Sequence, residues 1–335
     1  MKVGVLGAGA IGCYVGGRLL AASAAEVVLV GRPKQRDELA AHGLVTQDFD
    51  GPRAVVPPAR VTFATEVDAL AGCDVILCCV KSQHTDAAAR ELARVVGPDA
   101  VIVSLQNGVR NADMLRAQLP TQRVIPSIVS WNVIAVGDCF RRTTSGPLVL
   151  ERHDATRALV AALSAAGIPV EEHAVLAPHQ WTKLLVNLNN AVSALTDVAT
   201  GRLLLEPGYR RIVAALADEG LAVLRAADIK TARFNGVPLR WMPTILRLPT
   251  FLVRLVTRAQ LKVDPAARSS MWQDLAAGRP TEGDYLNGEL VPLAERSGTD
   301  APINRRIVAL VHDAERAGAG SPRLSADALW TALTG

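Results

Sequence analysis

Three groups of residues in this chain have the types and spacing of a working site. The first is Gly7-Ala8-Gly9-Ala10-Ile11-Gly12, set between a strand-like apolar run, Met1–Leu6, and a stretch with apolar residues at helical spacing, Ile11–Ala22. In such a strand–turn–helix context a G-x-G-x-x-G run holds a dinucleotide. The first glycine turns the chain tightly, the second admits a pyrophosphate, and the third packs helix on sheet. The helix N-terminus then offers N–H groups and a partial positive charge to the phosphates. The second group follows the next strand, Glu26–Val30, where an NAD site carries Asp or Glu for the ribose 2′-hydroxyl. Here stand Gly31 and Arg32, with Lys34 and Arg36 close behind. A guanidinium binds a 2′-phosphate through charge-assisted hydrogen bonds, so Arg32 points to NADP(H).

The third group lies in the second half. Lys183, Asn187 and Asn190 follow i, i+4, i+7 spacing and are expected on one helix face. Buried together, they offer a proton donor and two amides to an anionic polar ligand; on an open face the lysine is merely solvated. Farther on, Thr281 and Asp284 form an S/T-x-x-D pair, which places Glu282 in the first turn of a helix. An ionised Glu282 there can pair with Lys183, or simply support the helix start. Lys81 and Asn107 each follow a candidate strand, in Val80-Lys81-Ser82-Gln83 and Leu105-Gln106-Asn107-Gly108. Such positions face a ligand when the sheet is parallel.

The elements that must carry these groups can be read from periodicity. Asp74–Val80, Ala100–Leu105 and Arg123–Ile128 are further expected strands, with helices at Thr85–Val96 and Ala112–Leu119. This alternation implies an α/β fold, a Rossmann-like, mostly parallel sheet with helices on both faces. After Pro178 the spacing predicts helices over Trp181–Leu195, Tyr209–Ala227, Ala267–Ala277, Gly283–Arg296 and Asn304–Arg316, with no intervening strand. The expected organisation is therefore a dinucleotide-binding domain over residues 1–174 and an all-helical substrate and catalytic domain over 175–335. Gly318–Pro322 suggests a loose tail. Residues 232–263 lack Asp and Glu but carry Arg240, Arg247, Arg254 and Arg258 at near-helical intervals. A solvated face, or a segment packing over the site or a second subunit, suits them better than a membrane-surface helix.

Composition narrows the partners. With 335 residues the chain has room for two cores. The formal charge of +4 comes without a basic run interleaved with aromatics, which argues against nucleic acid and for an anionic cofactor and substrate. The cysteines at 13, 73, 78, 79 and 139 show no C-x-x-C spacing, and the histidines lack a ligand-like pair at helical spacing. Core thiols in a reducing cytoplasm, and no metal, are the expectation. The first 25 residues superficially resemble a secretory signal, but their glycines would weaken its helix, and cleavage would remove the fingerprint. No apolar run reaches membrane-spanning length.

Taken together, these motifs resemble the ketopantoate reductase (2-dehydropantoate 2-reductase) family across nearly the whole chain. They comprise GAGAIG, Arg32, Val80-Lys81, Leu105-Gln106-Asn107-Gly108, Trp181–Asn187, SSMWQD at 269–274, and Thr281-Glu282 followed by Asp284-Tyr285-Leu286-Asn287-Gly288. The resemblance implies NADPH-dependent reduction of a 2-oxo acid, ketopantoate to pantoate in pantothenate synthesis. It implies Lys183 as proton donor and Asn107 orienting nicotinamide and substrate. Asn187, Asn190 and Ser270 would bind substrate, and Glu282 would position Lys183 or touch the cofactor. This chain departs from the family in having Ala191 where Asn is usual, with Asn190 one step away. It also lacks an Asn near Thr200-Gly201 and has Gly283 for Ile. Two other functions fit the motifs: a related reductase for a different 2-oxo acid or other carbonyl, and an NADP(H)-binding sensor that would not need Lys183 or Glu282. A homodimer stays open.

Overall fold

Short apolar runs that are buried on both faces belong to strands covered by helices on either side. The computed structural model describes residues 1–49, 51–257 and 268–335. These divide into two units, Met1–Leu176 and Ala177–Gly335.

The first unit contains β1 (Lys2–Leu6), β2 (Glu26–Val30), β3 (Leu44–Gln47), β4 (Arg53–Val56), β5 (Thr62–Ala64), β6 (Val75–Cys78), β7 (Val101–Ser104), β8 (Arg123–Val129), β9 (Val133–Val136), β10 (Cys139–Arg142), β11 (Leu148–Glu151) and β12 (Val170–His173). Its helices are α1 (Ala10–Ala21), α2 (Pro33–His42), α3 (Thr85–Val95), α4 (Asn111–Gln118) and α5 (Arg157–Ala165). Eight strands form the main sheet in the order β12-β11-β8-β7-β6-β1-β2-β5. All neighbours are parallel except β8 and β11. The strand order reverses direction at β1, with β2 on one side and β6 on the other.

Alternate residues of each strand feed two cores. Val3, Val5, Val27 and Leu29 join α1 and α5 on one face. Leu6, Val28, Val30 and Ile76 join α3 and α4 on the other. Cys13 and Cys78 lie inside these layers, and burial pushes both thiols up to about 12. They are inert packing groups at neutral pH. A second sheet, ordered β4-β3-β10-β9, was not evident from the sequence. Gly17 of α1 meets it, since an added Cβ would lie 2.6 Å from Thr46.

The second unit consists of α6 (Ala177–Asn187), α7 (Asn189–Thr196), α8 (Thr200–Leu203), α9 (Pro207–Ala226), α10 (Met242–Arg247), α11 (Thr250–Thr257), α12 (Ser270–Ala276), α13 (Leu290–Arg296), α14 (Pro302–Ala317) and α15 (Ala326–Thr334). It is helical apart from a minimal hairpin, Arg233–Phe234 with Val237–Pro238, so the expectation of no strand needs that correction.

Three expected elements also change. The helix expected over Trp181–Leu195 is two, joined at Leu188, whose N–H turns to Leu185 O rather than to the residue four back. The Leu188 carbonyl accepts from Asn287 Nδ2 at 3.4 Å. Instead of one helix from Gly283 to Arg296, there are two 3-10 turns, Gly283–Tyr285 and Asn287–Glu289, followed by α13. The stretch after Gly318 is anchored: Leu324 N–H donates to Leu195 O, and Leu329 and Leu333 of α15 are buried.

Within the arginine-rich segment, α10 packs against α9 and Arg247 pairs with Asp218 of that helix. Trp241, Phe251 and Leu255 remain exposed. Arg258 and Ala267 lie outside the described residues. Among the described residues, no helix is long and apolar enough to cross a membrane.

One buried polar chain holds the second unit together. Asn287 Nδ2 also donates to Asn304 Oδ1 at 3.0 Å, and Asn304 Nδ2 donates to Leu216 O and to Glu219 Oε1. Both carboxylate oxygens of Glu219 cap the start of α14, accepting from the N–H groups of Ile303 and Asn304. Asn287→Leu is expected to lower stability by about 1–3 kcal/mol for each group left without a partner. Thermal unfolding checks this; an unchanged midpoint would contradict the role.

Candidate active site

In the first unit the glycine run is built from backbone alone. Gly7 has φ +98°, and a Cβ there would lie 2.7 Å from Val80 N and 2.8 Å from Cys79 C. Only glycine fits so close to the end of β6. At Gly12 a Cβ would lie 2.4 Å from Gly7 O, which lets α1 start directly against the turn. Gly9 is different, because a Cβ there would meet nothing within 4 Å. Its lack of a side chain leaves open space in front of the helix start rather than relieving a clash. The cap of α1 is this same Gly9, with no side-chain hydrogen bond and no acid in the first turn. Backbone donors, open space and a positive dipole end fit a dinucleotide pyrophosphate. Ala8 N–H donates to Val30 O, while Ala10 and Ile11 open the helix at half-buried positions.

Gly31 brings the end of β2 against the same turn. A Cβ there would lie 2.8 Å from Ala8 Cβ. Next to it, Arg32 is exposed at the cap of α2. Lys34 pairs with Glu38 and Arg36 with Asp37, whereas Arg32 has no ion pair among the described residues. Of the three cations, Arg32 is therefore the one open to an anion.

Lys81 and Asn107 sit just beyond the carboxyl ends of β6 and β7, both half-buried. Lys81 caps the 3-10 turn Ser82–His84. The turn at Asn107 continues through Gly108, at φ +88°, into α4. Four neighbours that sequence reading did not single out, Ser82, Thr85, Gln106 and Asn111, are buried here and bonded to one another. Their only sequence signal is a polar residue where an apolar one would be expected beneath a sheet end.

In the second unit, Lys183 and Asn187 lie on α6, four residues apart, and both are half-buried. Burial pushes the Lys183 amine down from 10.5 to about 8. Asn190 lies beyond the Leu188 junction, on α7 rather than on the same helix. Its carbonyl accepts the Ser269 hydroxyl at 3.0 Å, and Ser269 Oγ also accepts the N–H of Trp272 to cap α12. The structure thus brings Ser270, the first residue of α12, to the start of α7. Ala191 is in the core, 1% exposed, while Asn190 beside it is half-buried.

Glu282 is buried at 5% exposure and precedes the first 3-10 turn. The expected capping pair does not form: Thr281 Oγ1 accepts from Gly283 N–H, two residues on, and Asp284 instead meets His312 at 3.2 Å. Gly283 packs close to Thr281 Oγ1 and Val311, at 3.3 and 3.5 Å from an added Cβ, which explains a small residue here. Asn287, five residues on, ties the Glu282 loop to the α6–α7 junction through Leu188 O. Among the described residues, no cluster of side chains could hold a metal ion.

Comparison with known proteins places the chain among relatives. A family model described as ketopantoate reductase PanE/ApbA matches residues 3–154, and the model of that family's C-terminal part matches 176–315. A 2-dehydropantoate 2-reductase of Halobacterium salinarum is 30% identical over 328 residues, spanning 95% of this chain and 100% of that protein. The crystal structure of a PanE/ApbA family ketopantoate reductase from Ralstonia eutropha superposes with a TM-score of 0.81 at 34% identity, covering 95% of this chain and 99% of that one. A D-mandelate dehydrogenase bound to NADH and anilino(oxo)acetate shares the fold at 20% identity, with a TM-score of 0.79 and coverage of 95% and 99%.

The glycines separate folding from binding. Gly7→Ala is expected to destabilise the protein, since a left-handed backbone and a 2.7 Å contact cannot both be kept. Gly9→Ala is expected to leave thermal stability nearly unchanged and to weaken dinucleotide binding in a calorimetric titration. Equal stability losses for both variants would contradict this division.

Proposed function

The chain belongs to the ketopantoate reductase family, and from that premise we propose that it reduces a 2-oxo acid to a 2-hydroxy acid with NADPH, ketopantoate to pantoate above all. The observation that carries the reading is the half-buried Lys183 amine, lowered to about 8 by desolvation, on a helix that also presents Asn187. An acid with a pKa near the working pH gives up its proton readily yet remains largely protonated at neutrality.

The first unit holds the dinucleotide. Gly7, Ala8, Gly9, Ala10, Ile11 and Gly12 surround the pyrophosphate, and Arg32 takes the 2′-phosphate. When bound, the reduced nicotinamide supplies the hydride. Lys81 and Asn107 orient the nicotinamide half, and Asn107 also faces the substrate. The second unit supplies the acid. As the carbonyl carbon is reduced, its oxygen gains negative charge; the Lys183 ammonium stabilises that charge and donates a proton to the oxygen, leaving a neutral amine. Asn187, Asn190 and Ser270 bind the oxo acid. Glu282 positions Lys183 from its buried turn or touches the cofactor.

A second reading keeps the reaction and changes the oxo acid. It is favoured by Ala191, which puts a core methyl where the family usually has an amide. Oxidation of NADPH measured against a panel of 2-oxo acids, with ketopantoate included, decides between them. Turnover on none of the panel would refute the reductase reading and leave the dinucleotide-binding sensor.

Arg32→Ala is expected to weaken NADPH binding by the loss of a charged contact, about 1.5–3 kcal/mol, and to leave NADH nearly untouched. Equal losses for the two cofactors would count against Arg32. Lys183→Ala is expected to reduce kcat about 10²–10⁴-fold with little change in NADPH affinity. In the unsubstituted protein kcat should be level below pH 8 and decline above it, because the acid must be protonated and Lys183 loses its proton there. A flat profile through pH 10 would assign the proton to another group.

A further inference from the structure

Beneath the carboxyl ends of β6 and β7 runs a chain of buried polar side chains that takes no direct part in the proposed chemistry. Ser82, Thr85, Gln106 and Asn111 are each no more than 7% exposed. Gln106 Nε2 donates to Val80 O at 3.0 Å and to Thr85 Oγ1 at 2.7 Å, while its Oε1 accepts from Ser104 at 2.9 Å. The Thr85 hydroxyl donates to Asn111 Oδ1 at 2.9 Å. Asn111 Nδ2 donates to Ser82 Oγ at 3.1 Å and to the carbonyl of Asn107, which also accepts the Ser82 hydroxyl at 3.3 Å. Every bond in this network has a defined direction, and each amide has one orientation that satisfies it. Both backbone segments that leave the strand ends, Val80–Ser82 and Asn107, are therefore held by side chains from the interior.

The position of this network in the sheet gives it a purpose. A pyrophosphate at the β1–α1 turn and an adenosine ribose at Arg32, beyond β2, place one half of the dinucleotide on one side of the reversal in strand order. An extended dinucleotide sends its other half the opposite way, over the ends of β6 and β7. Loops at strand ends are mobile unless anchored. We propose that Thr85, Gln106 and Asn111 are positioning residues for the nicotinamide half of the cofactor, acting through the backbone at Val80–Ser82 and Asn107. The inference rests on the dinucleotide-binding reading of the first unit and adds to it the residues that set where the nicotinamide can lie.

Thr85→Val tests it, because the change keeps the branched shape and removes the hydroxyl that links Gln106 to Asn111. Binding is read by calorimetry with two ligands: NADPH, and 2′-phospho-ADP-ribose, which lacks the nicotinamide. The variant should bind NADPH about tenfold more weakly and the fragment with unchanged affinity. Thr85→Ser, which restores the hydroxyl, should recover NADPH binding. With a substrate from the panel, kcat should fall more than KM for the oxo acid rises. The primary isotope effect from deuterated NADPH should increase, since hydride transfer becomes slower relative to other steps. If Thr85→Val does not fold, Ser82→Ala removes one of the two donors to the Asn107 carbonyl and should show the same pattern with smaller amplitude. Equal weakening of both ligands, or a lower melting temperature with both affinities intact, would overturn the proposal and leave the network a purely structural role. Failure of the unsubstituted protein to bind either ligand would instead remove the dinucleotide reading, and the inference with it.

Discussion

The close approach of backbone to backbone at Gly7 is the constraint on which the first unit depends. With φ at +98° and the peptide of Cys79–Val80 within van der Waals reach, this residue joins the end of β1 to the end of β6 without an intervening side chain. Because that gap is closed, α1 can begin immediately, with Gly12 against Gly7 O and Gly9 open to solvent. The same contact places Val80 where its carbonyl meets Gln106. From there the polar network extends to Asn107 and α4. A residue with a Cβ at position 7 would disturb the glycine turn and the adjacent strand end together.

The second unit is organised by a different economy, that of buried polar groups. At the Leu188 junction the backbone N–H turns to Leu185 O, and a buried amide from Asn287 donates to the Leu188 carbonyl. Asn287 is itself oriented by Asn304, and Asn304 by Glu219, so one continuous set of bonds spans the α6–α7 junction, α9, α14 and the 3-10 turns. Such a network is costly when incomplete and highly specifying when satisfied. It ties the loop that carries Glu282 to the junction at the end of the helix that carries Lys183. The same surroundings that specify the helix also withdraw water from the Lys183 amine and bring its pKa toward neutrality.

Particular elements show why parts of this arrangement were legible in the sequence. Glu26–Val30 reads as a strand because β-branched residues fill both of its faces, and the observed strand has the same bounds. Thr85–Val96 reads as a helix because alanines and Leu92 recur at helical spacing, and the observed helix ends one residue earlier, at Val95. Asn190 and Glu282 were harder. Helical spacing carries Asn190 onto the face of Lys183 only if the helix runs unbroken, and the break at Leu188 depends on Asn287, ninety-nine residues away. Likewise Thr281-x-x-Asp284 has the pattern of a capping box, but Gly283 packs against α14, and His312 of that helix takes the Asp284 carboxylate.

Local chemistry was therefore enough to determine the glycine turn after β1, the cation after β2, the strand–helix alternation of the first unit and the lysine–asparagine spacing on α6. Each of these depends on residues within a few positions of one another, where backbone sterics, charge and periodicity act directly. Tertiary structure alone decided the second sheet against α1, the Leu188 junction, the anchored C-terminal helix and the network of Ser82, Thr85, Gln106 and Asn111. Those features arise when a buried donor or acceptor must find its partner wherever packing brings one, and the energy of an unsatisfied group depends on its surroundings rather than on its neighbours in the chain.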